Sequence, residues 1–304
     1  MAQRVTLVKR LSLLVAGSLF LYAAFVAWGL PSRAEVRALA RKTPEGTGLM
    51  KQREREAKAK GRTARRTQTV VSIKQISRWL IQAVIASEDQ KFFGHQGVDW
   101  SALQESVEKN LEKGKLARGG STITQQLAKN LYFGTEKSPT RKFRELIVTR
   151  WIEDELTKRR ILELYLNVIE WGDDLYGAEA AARRYFGKPA SDLDAREAAA
   201  LAGMIPNPRR INPLVSPARV ARAQRRVLWL MTTAGFLERT AAGLGSEPPP
   251  LEPLDEGDEP EPAVEPIPEP AVEPIPEPAA EPIPEPAAET IPEPTPTPPE
   301  GDSR

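Results

Sequence analysis

A mainly α-helical fold, preceded by an N-terminal transmembrane helix and followed by a disordered Pro/Glu-rich tail, is predicted by three features of this 304-residue chain. Residues 11–30, LSLLVAGSLFLYAAFVAWGL, are twenty positions without a charge, a length that crosses a bilayer as a helix. Between 71 and about 240 apolar residues recur at helical spacing, strand-like alternation is scarce, and glycine and proline stand at the breaks. Beyond 240 the chain turns to low complexity, with an eight-residue Pro/Glu repeat from 261 to 292.

Taken in order, residues 1–10 are a short N-terminus bearing Arg4, Lys9 and Arg10. The apolar stretch 11–30 is longer than the core of a cleaved signal peptide, and Ser32-Arg33-Ala34 is a poor cleavage site, so an uncleaved anchor is expected. Positive charges flank it on both sides, so they do not orient it. Residues 31–70 read as a basic juxtamembrane linker. From 41 to 66 there are ten basic and three acidic residues with few apolar ones, which fits a solvated linker or exposed helix and is compatible with anionic headgroups. Nucleic acid is not expected as a partner, because no aromatics are interleaved.

About 170 residues, 71–240, are enough to bury one substantial core. The tail, 241–304, has no core of its own, and its prolines favour an extended polyproline II spacer or arm. The net charge of +2 conceals a segregation. Residues 246–304 hold 17 acidic residues and one basic, net −16, and the rest hold 42 basic and 24 acidic, net +18. A basic body points to polyanionic partners, among them a membrane surface or a phosphorylated substrate. The absence of cysteine excludes disulfides, thiolate metal sites and a cysteine nucleophile.

Within the body, residues 76–97, ISRWLIQAVIASEDQKFFGHQG, read as one amphipathic helix closed by a glycine turn. Ile76, Leu80 and Val84 make an apolar stripe that Glu88 continues. A carboxylate in that position is partly desolvated and is a candidate proton acceptor; the alternative is a glutamate near a helix end that points at water. His95, the single histidine, either shares that cleft or is a hydrogen-bonded structural residue. Next, Arg118-Gly119-Gly120-Ser121-Thr122 opens a helix on which Thr122 and Gln125 fit a capping box. Gln126, Lys129 and Asn130 line one side of that helix, opposite Ile123, Leu127 and Leu131. Free amides at such a start suit a phosphate, although a glycine pair is also an ordinary turn. Ser138-Pro139 starts a further helix with Arg141, Lys142 and Glu145, readable as a surface ion pair or as a cationic clamp beside a second carboxylate. Two acidic residues with cations at helix starts suggest glycosyl transfer with a phosphate leaving group.

In order, EDQKFFGHQGVDW, GGSTITQQLAKN, RKFRE, KRRILELYLN and the Ala-rich helix before Pro206 resemble the five motifs of the family 51 glycosyltransferases. The likeness covers about 71 to 231, and the run from 168 to 188 is most similar to the monofunctional biosynthetic peptidoglycan transglycosylases. No Lys-Thr-Gly occurs, so the transpeptidase half of bifunctional relatives is expected to be missing. The resemblance implies a lysozyme-like glycosyltransferase domain on the periplasmic, outer side of the cytoplasmic (inner) membrane, with residues 1–10 in the cytoplasm. It implies polymerisation of lipid II into a growing glycan strand, with inversion and release of undecaprenyl diphosphate. Glu88 is then the general base and Glu145 a second acidic residue. Lys129 and Arg141 hold the diphosphate with Lys142 nearby, and Ser121, Thr122, Gln125, Gln126 and Asn130 line the donor site. Asp89 and His95 become scaffold. No cofactor is required with certainty; a divalent cation, Mg2+ or Mn2+, is the one candidate. Cell-wall synthesis or division proteins are candidate partners. Where bifunctional relatives carry a lysine after the last helix, this chain has Pro206, with Arg209 and Arg210 nearby. Two rivals stand beside this reading. A lysozyme-like or lytic hydrolase has little use for the cations, and an idle envelope scaffold has no use for the acids.

Overall fold

The computed structural model describes residues 2–113, 120–136 and 138–243. The Arg118-Gly119 start of the second motif and the tail beyond 243 lie outside the described residues. Helix α1 (Ala2–Trp28) is followed by α2 (Arg33–Ala38), α3 (Gly48–Ala59) and strand β1 (Thr67–Gln68). The body continues with α4 (Arg78–Glu88), α5 (Trp100–Lys113), α6 (Ile123–Ala128), α7 (Pro139–Glu155) and α8 (Lys158–Val168). After the short hairpin β2 (Glu170–Gly172) and β3 (Leu175–Tyr176) come α9 (Ala178–Phe186), α10 (Ala195–Met204), α11 (Pro217–Thr233) and α12 (Arg239–Ala242). The three short strands form one sheet in the order β1-β3-β2, β3 pairing parallel to β1 and antiparallel to β2. The mainly helical class expected from the sequence is what is found.

The helices begin where their caps dictate. Ser77, Thr122, Ser138, Thr157 and Asp194 each accept a backbone N–H in the first turn of α4, α6, α7, α8 and α10. Each such cap contributes about 1 kcal/mol. Two layers meet over the site. α4 packs against α10 and α11, which themselves approach so closely that a β-carbon at Gly203 on α10 would sit 2.7 Å from that of Ala223 on α11. α6 packs against α7 and α8. Leu80, Val84, Ile123, Leu127, Val148, Ile152, Ile161 and Tyr165 are fully buried between them. Each large aliphatic side chain contributes about 1.5–3 kcal/mol by leaving water.

Two stretches differ from their sequence reading. The helix expected over 76–97 stops at Glu88: Asp89 leaves helical geometry with φ −164° and ψ 77°. Its carboxylate instead accepts the Ile123 N–H at the start of α6, at 3.0 Å, and meets His95 Nε2 at 2.9 Å. Phe92 is still buried, brought in by a turn rather than by helical spacing.

The basic stretch read as a solvated linker contains α3, which buries Leu49, Met50 and Ala57 against the body. Arg53 on α3 makes two hydrogen bonds to the buried Glu170 carboxylate, at 2.9 and 2.8 Å. Gln52 accepts the Thr135 N–H at 2.7 Å and donates to Thr135 Oγ1 at 2.8 Å. Few apolar residues are needed here because long basic side chains lay their stems along the surface.

One described helix is long and apolar enough to cross a membrane, and it is α1 at the N-terminus. Its end is tied to α7. Arg144 donates to the carbonyls of Val26 at 3.0 Å and Phe25 at 2.5 Å, and its guanidinium lies 4.8 Å from the Phe25 ring centre. Arg33 and Arg37, just beyond α1, pair with Asp154 and Glu155 at the far end of α7.

Candidate active site

Glu88 is the last residue of α4, and Oε2 of its carboxylate accepts a hydrogen bond from Gln126 Nε2 at 2.8 Å. Gln126 lies on α6, so this bond joins the two layers. Burial pushes the Glu88 carboxyl above its ordinary range, while the Gln126 amide and the Lys129 charge pull the other way. Lys129 follows α6 in a π-turn, Lys129–Phe133, closed by the Gly134 N–H bonded to the Lys129 carbonyl at 2.9 Å. Such wide turns recur at functional sites. Burial lowers the Lys129 ammonium below the usual lysine value, and it feels the charges of Glu145, Arg141, Lys142 and Glu88. The two carboxylates and three cations singled out from the sequence therefore share one electrostatic neighbourhood.

The third corner stands on α7. Glu145 is buried, and both its oxygens are engaged, by Arg141 Nη1 at 2.8 Å and Lys142 Nζ at 2.6 Å. Lys142 also reaches Ser121 Oγ at 3.4 Å. Arg141 keeps only 18% of its side chain exposed, and its Nε is a buried donor without an acceptor among the described residues. An oxyanion beside the guanidinium would satisfy donors of this kind.

The remaining predicted residues separate into two groups. Thr122 and Gln125 commit their side chains to the α6 cap, each accepting the other's backbone N–H, and Thr122 Oγ1 donates to the Gly97 carbonyl at 2.6 Å. Gly97 adopts φ +87°, and a β-carbon there would lie 2.7 Å from Thr149 Cγ2, so the turn beneath the cap needs glycine. Asn130 is buried within the π-turn. Asp89 and His95 are supports. The Gly97 N–H donates to His95 Nδ1 at 3.1 Å, which leaves the proton on Nε2 to face Asp89. Arg209, one of the two arginines near Pro206, pairs with Asp173 and Glu56.

Two groups were missed by the sequence reading. Tyr165, fully buried on α8, donates its O–H to Gln126 Oε1 at 2.8 Å. Arg226 on α11 acts electrostatically on Glu88. Tyr165 sits within an apolar stripe, and the one signal was that a buried phenol needs a partner. For Mg2+ or Mn2+ no nest of carboxylates is ready: among the described residues no three His, Asp or Glu side chains gather to hold a metal.

Comparison with known proteins bears on the whole arrangement. A model of the family described as Transglycosylase matches residues 54–232. A biosynthetic peptidoglycan transglycosylase of an Azoarcus species is 45% identical over 211 residues, covering 68% of this chain and 91% of its own length. Proteins of the same name from Methylobacillus flagellatus and Nitrosospira multiformis are 50% and 44% identical, over 51% and 64% of this chain and 71% and 84% of their own lengths. With more than half of its residues inside the family match and the candidate site residues lying within it, this chain belongs to the transglycosylase family.

Proposed function

We propose that the chain is a peptidoglycan glycosyltransferase that polymerises lipid II on the outer face of the cytoplasmic (inner) membrane, anchored by α1. In this reading Glu88 is the general base. It takes the proton from the 4-hydroxyl of the acceptor sugar as that oxygen attacks the anomeric carbon of the growing strand. The carbon inverts, its bond to the diphosphate breaks, and undecaprenyl diphosphate departs. Lys129 and Arg141 hold the diphosphate through the transition state, and Lys142 adds charge at its edge. Glu145 keeps both cations of α7 in place. Ser121, Gln126 and Asn130 line the donor site, and Thr122 and Gln125 shape it through the cap. No step is routed through a metal ion.

The observation that carries this reading is the order of charge around Lys129. A carboxylate raised by burial stands near a lysine that, among the described residues, has no carboxylate bonded to it. An Arg–Glu–Lys cluster with an unsatisfied guanidinium donor is beside them. A hydrolase of neutral sugar bonds needs the acid and not the cations. A lone Ser-x-x-Lys spacing, Ser106 to Lys109, falls on α5 and has no Lys-Thr-Gly to act with, so the reading is monofunctional.

The test is Glu88→Gln assayed on purified labelled lipid II with gel separation of the products. Glycan synthesis is expected to fall by a factor on the order of 10²–10⁴, with the helical circular dichroism unchanged. Polymerisation at the parent rate would remove Glu88 as the base.

A further inference from the structure

We propose that Tyr165 on α8 is a positioning residue for this reaction, its phenol fixing the Gln126 side chain so that the amide N–H is turned toward Glu88. The proposal rests on Glu88 being the base. The relay is two bonds long: Tyr165 Oη donates to Gln126 Oε1 at 2.8 Å, and Gln126 Nε2 donates to Glu88 Oε2 at 2.8 Å. A primary amide has a donor end and an acceptor end of nearly the same shape, and its last torsion is soft. Only a fixed partner distinguishes the two orientations. Inverted, the amide would set its carbonyl against the carboxylate, acceptor against acceptor.

The phenol is suited to enforce one orientation. Its ring is fully buried, so it has no other rotamer to visit. Burial, together with the charges of Glu88 and Asp89, holds its pKa well above the ordinary value, so it keeps its proton and donates. The amide thereby occupies Oε2 of Glu88 and leaves Oε1 for the incoming hydroxyl proton. A buried tyrosine with a bonded hydroxyl is ordinary. Here the partner's other end is the group that takes the proton.

The amide bond favours the charged form of Glu88 and so lowers a pKa that burial raises. The other charges acting on Glu88 are Lys129 from the π-turn, Asp89 next in the chain and Arg226 from α11; α10 meets α4 through buried Ala, Leu and Met side chains. Tyr165→Phe leaves all of them in place.

The experiment measures kcat and KM for lipid II against pH in the full-length protein, Tyr165→Phe, Gln126→Met and the double variant. Phenylalanine retains the packing of the ring. Tyr165→Phe is expected to lower kcat roughly ten-fold. KM is expected to stay within about two-fold, because the lost contact is not to substrate. The acid limb of kcat is expected to move up by about one pH unit. Gln126→Met is expected to move the limb in the same direction, and adding Tyr165→Phe to it is expected to change nothing further, since the phenol acts only through the amide. An unmoved limb in Tyr165→Phe, or additive effects in the double variant, overturns the proposal. Should Tyr165→Phe fail to fold, an unmoved limb in Gln126→Met overturns it and a raised limb supports it. Polymerisation retained by Glu88→Gln would instead sink the assignment of the base, so the two failures are told apart.

Discussion

Glu88 and Lys129 are opposite in charge and are both driven by burial toward their neutral forms, the carboxyl upward from 4.5 and the ammonium downward from 10.5. The proposed reaction needs the first without its proton and the second with it. Activity is therefore expected to fall on the acid side at a pH above the usual carboxylate range, and on the alkaline side at a pH below the usual lysine value. A profile of kcat/KM for lipid II checks both limbs; an optimum stretching from pH 5 to 10 without loss would contradict the desolvation of the pair. Stability runs the other way. A carboxyl whose folded pKa is raised destabilises the fold wherever it is ionised, and that penalty is relieved as pH falls through the folded pKa. Glu88→Gln is thus expected to melt no lower than the parent at neutral pH, by differential scanning calorimetry. Glu88 was legible in the sequence because it continues an apolar stripe. Tyr165 was hidden by the same logic: in a stripe that includes Ile161, Leu164 and Val168, a tyrosine reads as one more packing residue. Its hydrogen bond spans 39 positions in sequence.

The helices were legible where caps and periodicity agree, as at Thr122, Ser138 and Thr157. They were not legible where a side chain serves a distant element. The early end of α4 follows from Asp89 capping α6, 34 residues away, and no local propensity announces that. The same holds for α3, which a charge count takes for a solvated segment. Arg53 on this helix pairs with a glutamate, Glu170, whose carboxyl burial pushes above its ordinary value while the guanidinium pulls it back down. Removing one partner of such a pair leaves a buried charge alone, at a cost of about 3–5 kcal/mol. Arg53→Met is therefore expected to lower unfolding stability by about 3 kcal/mol in urea denaturation, and the double variant with Glu170→Gln is expected to recover much of it. A loss below about 0.5 kcal/mol would mean the pair behaves as an exposed one.

At the level of the whole molecule, the mainly helical class and the apolar first helix were readable from composition and periodicity. The short sheet was not, because strands of two or three residues carry no alternation to detect. Residues 246–304 carry net −16 and a proline-rich repeat with no apolar face. Their removal is expected to shift the thermal midpoint by less than about 2 °C, since ordering and burial set that midpoint. A fall of 5 °C or more would show that the segment belongs to the folded unit.

The Arg144 bonds to the last carbonyls of α1 have a geometric sequel. The helix that carries Arg141, Lys142 and Glu145 is clasped at one end by the terminal carbonyls of the anchor and at the other by Arg33 and Arg37. In the proposed reading, no slack joint would separate the bilayer from the side chains that hold the diphosphate. Were α1 upright in lipid, the site would keep one height and one heading. An isoprenoid-borne sugar, the proposed substrate, would then find it by sliding sideways in two dimensions rather than by leaving its leaflet.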